Sequence, residues 1–180
     1  MSSADTLVEK KTKVLIKLRG YKVTNEEEIK NAISYTIKTK EGDKVIIWAV
    51  TTDGTVGVAY VTQLKKAMDD AQIEKGIIVT VGKYTHTAKS RAKIGNIELI
   101  PSIFPSFMIF DHDYVSKHEL LNSEEKQKFL EEFKVEAYQL PRINSFDPSV
   151  IAVGGNPGDI VRVIRKSSTA GEYVAYRYVV

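Results

Sequence analysis

GDIVRVIRKSSTAGEYVAYRYVV, Gly158 to Val180, decides the fold of the C-terminal part of the chain. Ile160 to Lys166 is a β-branched, basic run. Ser167 to Gly171 supplies turn chemistry: small hydroxyl residues ending in a glycine that tolerates a positive φ. Tyr173 to Val180 alternates, with Val174, Tyr176, Tyr178 and Val180 on one face and Tyr173, Ala175, Arg177 and Val179 on the other. The stretch therefore predicts a β-hairpin whose last residues are packed. Arg162, Arg165 and Lys166 lie on the partner strand and turn. Arginines beside aromatics on a rigid sheet suit a binding face better than a reaction centre.

Upstream of the hairpin, Asp147 as N-cap with Pro148 at the first helical position opens a short helix that Gly154-Gly155 stops. Asn122, with Glu125 three residues on, caps a helix holding Phe129, Leu130 and Phe133. Phe107 to Phe110 reads as an edge strand. Across this region stand Lys117-His118-Glu119-Leu120-Leu121, Gln139-Leu140-Pro141-Arg142-Ile143, Asp147-Pro148 and Pro157-Gly158-Asp159-Ile160-Val161. Ile164-Arg165-Lys166-Ser167, Thr169-Ala170-Gly171-Glu172-Tyr173 and Tyr176-Arg177 follow. In order and spacing this set closely resembles the fifth-subunit family of DNA-directed RNA polymerases, which comprises the eukaryotic fifth subunit and its archaeal counterpart. One departure is Gly154-Gly155-Asn156, where the family more often has L-G-L-K. It leaves one basic charge fewer and a weaker turn before Pro157.

The resemblance implies an assembly domain that docks on the largest polymerase subunit, beside neighbouring small subunits. The docking residues it implies are His118, Leu140, Pro141, Asp147, Pro148, Gly158, Arg162, Arg165, Thr169, Gly171, Tyr173, Tyr176 and Arg177.

The chain has 180 residues, room for one large or two small domains. Residues 1–110 hold 17 basic and 12 acidic side chains, whereas residues 111–180 hold 9 and 11. The two halves thus differ in sign, and the boundary is expected at residue 110. There is no cysteine, which excludes disulfides and cysteine metal sites. No apolar run approaches a membrane span, and MSSADTLVEKK does not read as a signal peptide. These features fit a soluble intracellular protein, nuclear in a eukaryote and cytoplasmic in an archaeon, with no cofactor and no small-molecule substrate.

In the N-terminal half, Thr6-Leu7-Val8-Glu9 is a capping box. Leu7, Val8, Val14, Leu15 and Leu18 then form one stripe up to Gly20, and Lys10, Lys11, Lys13 and Lys17 read as the solvated face. Thr24-Asn25-Glu26-Glu27 is expected to start a short second helix. Ile33 to Lys40 and Lys44 to Thr51 are strands joined at Glu41-Gly42-Asp43, and Thr52-Asp53-Gly54 is a further turn. Val58, Val61, Leu64 and Met68 mark a helix. Gly76 to Val81 reads as a strand covered on both faces, Thr85 caps a helix to about Lys93, and Ile97 to Ile100 is the last strand. Pro101 and Pro105 punctuate a linker. The run from Val56-Gly57-Val58 through Lys75-Gly76-Ile77-Ile78-Val79-Thr80 to Ile97-Glu98-Leu99-Ile100 resembles the restriction-endonuclease-like fold, especially Mrr-type members. The fold class is therefore α/β plus α+β: an endonuclease-like jaw domain over 1–110 and a polymerase assembly domain over 111–180. The polymerase family's long, eukaryotic form carries such a jaw, and the archaeal form usually lacks one.

Nucleases of that fold hold Mg²⁺ with an Asp and an E/Q-x-K triplet on adjacent strands. Here the triplet falls on Trp48-Ala49-Val50 and the Asp near Tyr35, so the domain reads as nuclease-dead, with Trp48 a core or edge aromatic. Asp111-His112-Asp113 puts neighbours on opposite sides of an extended chain and reads as a solvated linker. The basic candidate is Lys83-Tyr84-Thr85-His86-Thr87-Ala88-Lys89-Ser90-Arg91. A capped helix start offers unpaired N–H groups and partial positive charge, so Lys83, Thr85, His86, Thr87, Lys89 and Arg91 can meet a DNA phosphate. The polymerase family has T-P-S-A beside downstream DNA at this place. His86 stands where that proline would be, so a proline wedge does not carry over. The rival reading is a stand-alone DNA-binding protein or decayed nuclease of the same fold.

Overall fold

The computed structural model describes residues 6–39, 42–52, 54–167 and 171–180. The turn residues Glu41, Asp53 and Ser168 to Ala170, Thr169 among them, lie outside the described residues. The chain divides into two compact units, Met1–Phe107 and Met108–Val180.

In the first unit, helix α1 (Leu7–Leu18) opens on the Thr6 and Glu9 capping box and closes over Gly20, whose φ is 66°. Its buried stripe is Val8, Lys11, Thr12, Leu15 and Ile16, while Leu7 is exposed. Lys11 thus departs from the expected solvated face. Its stem lies in the interior and its ammonium donates to the Ser102 carbonyl at 2.5 Å. Burial pushes the Lys11 amine down.

The expected second helix is instead strand β1 (Lys22–Ile29). KVTNEEEI has only Val23 and Ile29 to bury, too little for a helix stripe, whereas an edge strand needs only a partner. Asn31, at φ 64°, makes the two-residue turn that pairs Ile29 with Ala32 of β2 (Ala32–Lys38). Thr24 then donates its hydroxyl to the Thr36 carbonyl across the hairpin rather than capping.

β2 pairs antiparallel with β3 (Lys44–Val50), which runs parallel to β4 (Lys75–Val79), and β4 parallel to β5 (Ile97–Ile100). The crossovers carry helices α2 (Val58–Asp70) and α3 (His86–Ile94), as parallel strands require. Ile46, Trp48 and Val50 of β3 join the core under α2 and α3, together with Val61, Leu64 and Met68. The alternate Val45, Ile47 and Ala49 face the side that α1 covers. Gly76 sits where a Cβ would lie 2.6 Å from the Met68 sulfur, so α2 packs directly on the β4 backbone.

The second unit begins with a 3₁₀ turn at Ile109–Asp111, not the strand expected at Phe107 to Phe110. Its amides bond back to Met108 and Ile109, so no sheet partner is needed, and Phe107 is 60% exposed. Strand β6 (Lys117–Leu120), helix α4 (Ser123–Phe133), strand β7 (Arg142–Ile143), helix α5 (Pro148–Val153) and the hairpin β8 (Ile160–Ser167) and β9 (Gly171–Val179) follow. A second 3₁₀ turn, Ala137–Gln139, precedes β7. The sheet order is β6-β8-β9-β7. Caps at Asn122 and Asp147 and the stop at Gly154, φ 80°, stand where the sequence places them.

Arg19 ties α1 to β5. Its side chain is 3% exposed and forks onto both Glu98 oxygens at 2.6 and 2.7 Å, with a further bond to Tyr21. Burial opposes the guanidinium's charge, but Glu98 more than restores it and the group stays cationic. Glu98→Ala leaves that charge buried. Because Glu98 is 39% exposed, the expected loss is about 2 kcal/mol, short of a fully buried pair, and read from the urea midpoint. Glu98→Gln, which keeps one acceptor, should lose less.

Candidate subunit and nucleic-acid interfaces

The second unit's sheet has two faces set by strict alternation across β6, β8 and β9. Leu120, Val161, Val163, Ala175 and Val179 pack with Val150 of α5. Ile160, Leu121, Tyr176 and Tyr178 pack with Phe129 and Leu130 of α4. The register pairs His118 with Val163 and Arg165 with Tyr173, so His118, Arg165, Tyr173 and Arg177 extend the α5 face. Arg162 pairs with Glu119 and Tyr176, on the α4 face. The structure thus brings Arg165, Arg177, His118 and Tyr173 together and sends Arg162 and Tyr176 to the opposite side.

On the α4 face Arg162 is already partnered. Its Nε and Nη2 donate to one Glu119 oxygen at 3.0 and 2.5 Å, and Lys117 takes the other at 2.7 Å. Bonds from Lys117, then Arg162, hold the Glu119 carboxyl below the usual carboxylate range. The Tyr176 ring lies 4.1 Å from that of Phe129 and serves the core. On the α5 face Arg165 and Tyr173 are exposed, and among the described residues Arg177 donates to the Arg142 carbonyl, at 3.4 Å.

Other expected docking residues have internal duties. Asp147 caps α5 by accepting the Ser149 N–H at 2.8 Å, and Pro148 fills its first position. Half-buried Leu140 packs on the α4 side. The Pro141 carbonyl accepts the Tyr178 N–H at 2.9 Å. Gly158, at φ +100°, donates to Val179 while its carbonyl accepts Lys126 Nζ at 2.7 Å. Gly171 takes φ +74° at the start of β9. Phe146 and Tyr138, which the sequence reading does not single out, are exposed, and so is Phe133 of α4. Helical or turn spacing marks them as core, and only the packed tertiary structure shows which side of each turn is left open.

In the first unit, Thr85 caps α3 by accepting the Ala88 N–H at 3.2 Å, and its hydroxyl lies 3.2 Å from that of Thr87. Lys83, His86, Thr87, Lys89 and Arg91 are exposed. The buried face of α3 is Ala88 and Ala92, so at 100° per residue Lys89 and Arg91 stand on opposite flanks. Their side chains are therefore spread apart and do not converge on one point. The loop beneath is fixed: Val56 N–H bonds the Lys83 carbonyl, Thr85 N–H bonds the Val56 carbonyl, and the Tyr84 hydroxyl lies 2.8 and 2.9 Å from the Ile78 and Ile100 carbonyls. Burial, then the Glu98 charge, holds the Tyr84 phenol protonated.

At the position of the nuclease triplet, Trp48 is 7% exposed and donates Nε1–H to Ser34 Oγ at 3.2 Å; it is a core aromatic. Among the described residues no three metal-ligating side chains converge.

Residues 107–179 match the family model described as RNA polymerase Rpb5, C-terminal domain, and residues 6–102 match one described as restriction endonuclease. The chain is 47% identical over 74 residues to DNA-directed RNA polymerase subunit Rpo5 of Thermococcus kodakarensis, 41% of this chain and 90% of that one. It is 51% identical over 72 residues to the Rpo5 of Staphylothermus marinus, 40% of this chain and 79% of that one. A solved structure of EndoMS in apo form aligns with 54% of this chain and 46% of its own, at 16% identity and a TM-score of 0.42.

His118 sits on the α5 face with its Nδ1 2.8 Å from the Ser116 carbonyl and its ring 5.9 Å from that of Phe110. Burial pushes its pKa down against the opposing pull of the Ser116 carbonyl and Asp147, with Arg165 and Arg177 adding smaller downward effects. The unfolded chain therefore takes the proton first, and this contribution to stability is lost as pH falls below the ordinary histidine value of about 6.5. His118→Asn should flatten the fall in urea stability between pH values above and below that point. An equal fall in both proteins would show that His118 stays equally protonated in the two states.

Proposed function

The chain belongs to the Rpo5 family of RNA polymerase subunits over its C-terminal unit and to the restriction-endonuclease family over its N-terminal one, and we propose that the first unit is a polymerase jaw and the second its assembly domain. The protein is a non-catalytic subunit of a DNA-directed RNA polymerase and works inside the cell. The reading that fits best has the C-terminal unit docking on the largest subunit, with neighbouring small subunits beside it. Its contact residues are His118, Arg165, Tyr173 and Arg177 on one face, with Arg162 and Tyr176 on the other. What supports this is the cationic α5 face, whose arginines have no carboxylate partner among the described residues. The N-terminal unit lies near downstream duplex DNA and meets phosphates through the start of α3. The stand-alone or decayed-nuclease alternative is not favoured, since the match spans 90% of the Thermococcus subunit.

Affinity purification of the native protein should bring down the two large polymerase chains in equal amounts; their absence would remove the subunit reading. The purified chain should leave duplex DNA uncut with Mg²⁺ or Mn²⁺, since Trp48, Ala49 and Val50 offer neither carboxylate nor ammonium.

Converting Lys83, Lys89 and Arg91 to alanine should leave assembly intact but shorten the lifetime of a paused complex as salt rises. Each lost phosphate contact should flatten the log–log salt slope by about one unit. Identical slopes would place the DNA contact elsewhere.

A further inference from the structure

The open edges of the two sheets are guarded differently. β1, the outer strand of the first sheet, carries Glu26, Glu27 and Glu28 in an exposed row, and its register shifts between Val23 and Asn25. Charge and a bulge keep another strand from adding there. β9 pairs with β8 without a bulge, and its outward row carries a single acid, Glu172, at the far end. β7 reaches only Tyr178 and Val179 of β9. Pairing stops at Pro141, which has no N–H to give, and the residues before it close into the 3₁₀ turn Ala137–Gln139. β9 runs on from there to Gly171 with β8 on one side and, among the described residues, no strand on the other.

The direction of its backbone groups follows from the paired end. Val179 donates to Asp159 at 2.9 Å and accepts from Gly158 at 3.0 Å, on the β8 side. Tyr178 and Val180 donate to Pro141 and Ile143, each at 2.9 Å, on the β7 side. Alternation carries that parity along the strand, so Glu172, Val174 and Tyr176 aim N–H and C=O outward. Among the described residues no backbone group meets them. Beside this row Tyr173 is 59% and Val174 42% exposed.

We propose that the outer edge of β9, from Glu172 to Tyr176, takes an extended segment of another polymerase subunit as a fifth strand, in line with β7. This rests on the reading that the chain is a polymerase subunit. Backbone bonds to the outward row supply affinity, and the side chains select the occupant. Residues of the segment on the Val174 and Tyr176 side are apolar. Those on the other side are acidic, opposite Arg177 and near Arg165, which hold no carboxylate of their own among the described residues.

The test uses polymerase lacking this subunit, reconstituted with the full chain. Hydrogen exchange is compared between free and assembled subunit. The Glu172, Val174 and Tyr176 amides should slow by about tenfold or more, while Tyr173, Ala175 and Arg177, already bonded to β8, change little. Val174→Pro removes only an outward donor and should weaken incorporation by about tenfold or more, whereas Val174→Ala should cost under about threefold. Unchanged outward amides in the assembled enzyme would overturn the proposal. So would a Val174→Pro subunit that melts cooperatively and assembles like the original. If that variant does not fold, the exchange result on the unaltered chain decides. Protection seen only in a dimer of the free subunit would make a second copy the occupant and overturn it as well. Failure of the unaltered chain to enter the polymerase at all would instead remove the subunit reading itself.

Discussion

A two-stranded ribbon is marginal in water, and the C-terminal unit depends on how β8 and β9 escape that limit. Both strands are apolar on both faces near their paired base, and a different helix covers each face. Val161, Val163 and Val179 lie under α5; Ile160 and Tyr178 lie against α4. Because each helix is short, cover runs out before the ribbon does. Past Val163 the side chains are Ile164, Arg165 and Lys166, and past Ala175 they are Val174, Tyr173 and Glu172. The exposed part of the ribbon is therefore held rigid by a base that is fully packed, and its arginines and tyrosine are presented at fixed spacing. That is what a docking surface requires, since ordering loose side chains on binding costs about 0.5–1.5 kcal/mol each.

The N-terminal unit matches a restriction-endonuclease family, and the strand on which the sequence places that family's metal-binding triplet is apolar. β3 reads KVIIWAV, and every residue after Lys44 is buried. A carboxylate and a lysine at Trp48 and Val50 would have to stay hydrated to hold a metal. Instead Trp48 fills the space beneath α2 and α3 and satisfies its one N–H on Ser34. β3 is therefore a packed core strand.

What the sequence made legible was local. Thr6, Thr85, Asn122 and Asp147 all cap the helices that follow them, because a cap needs only its own next few residues. The alternation of Tyr173 to Val179 likewise gave the faces of β9. What was not legible depended on distant partners. β1 is a strand because β2 lies beside it; nothing in KVTNEEEI announces that. Lys11 is buried because Ser102, far along the chain, offers a carbonyl. The separation of Arg162 from Arg165 and Arg177 follows from a register that only the pairing of β6, β8 and β9 fixes.

Tyr84 divides what the loop before α3 can change from what it cannot. Its hydroxyl serves two carbonyls on neighbouring strands, at the ends of β4 and β5, inside the protein. A phenylalanine there would strand both acceptors away from water. The side chains of Lys83 and His86, within two residues of it, face solvent. Substitutions at those two side chains should leave the shape of the loop intact. One inward residue thus separates the loop's shape from its surface chemistry.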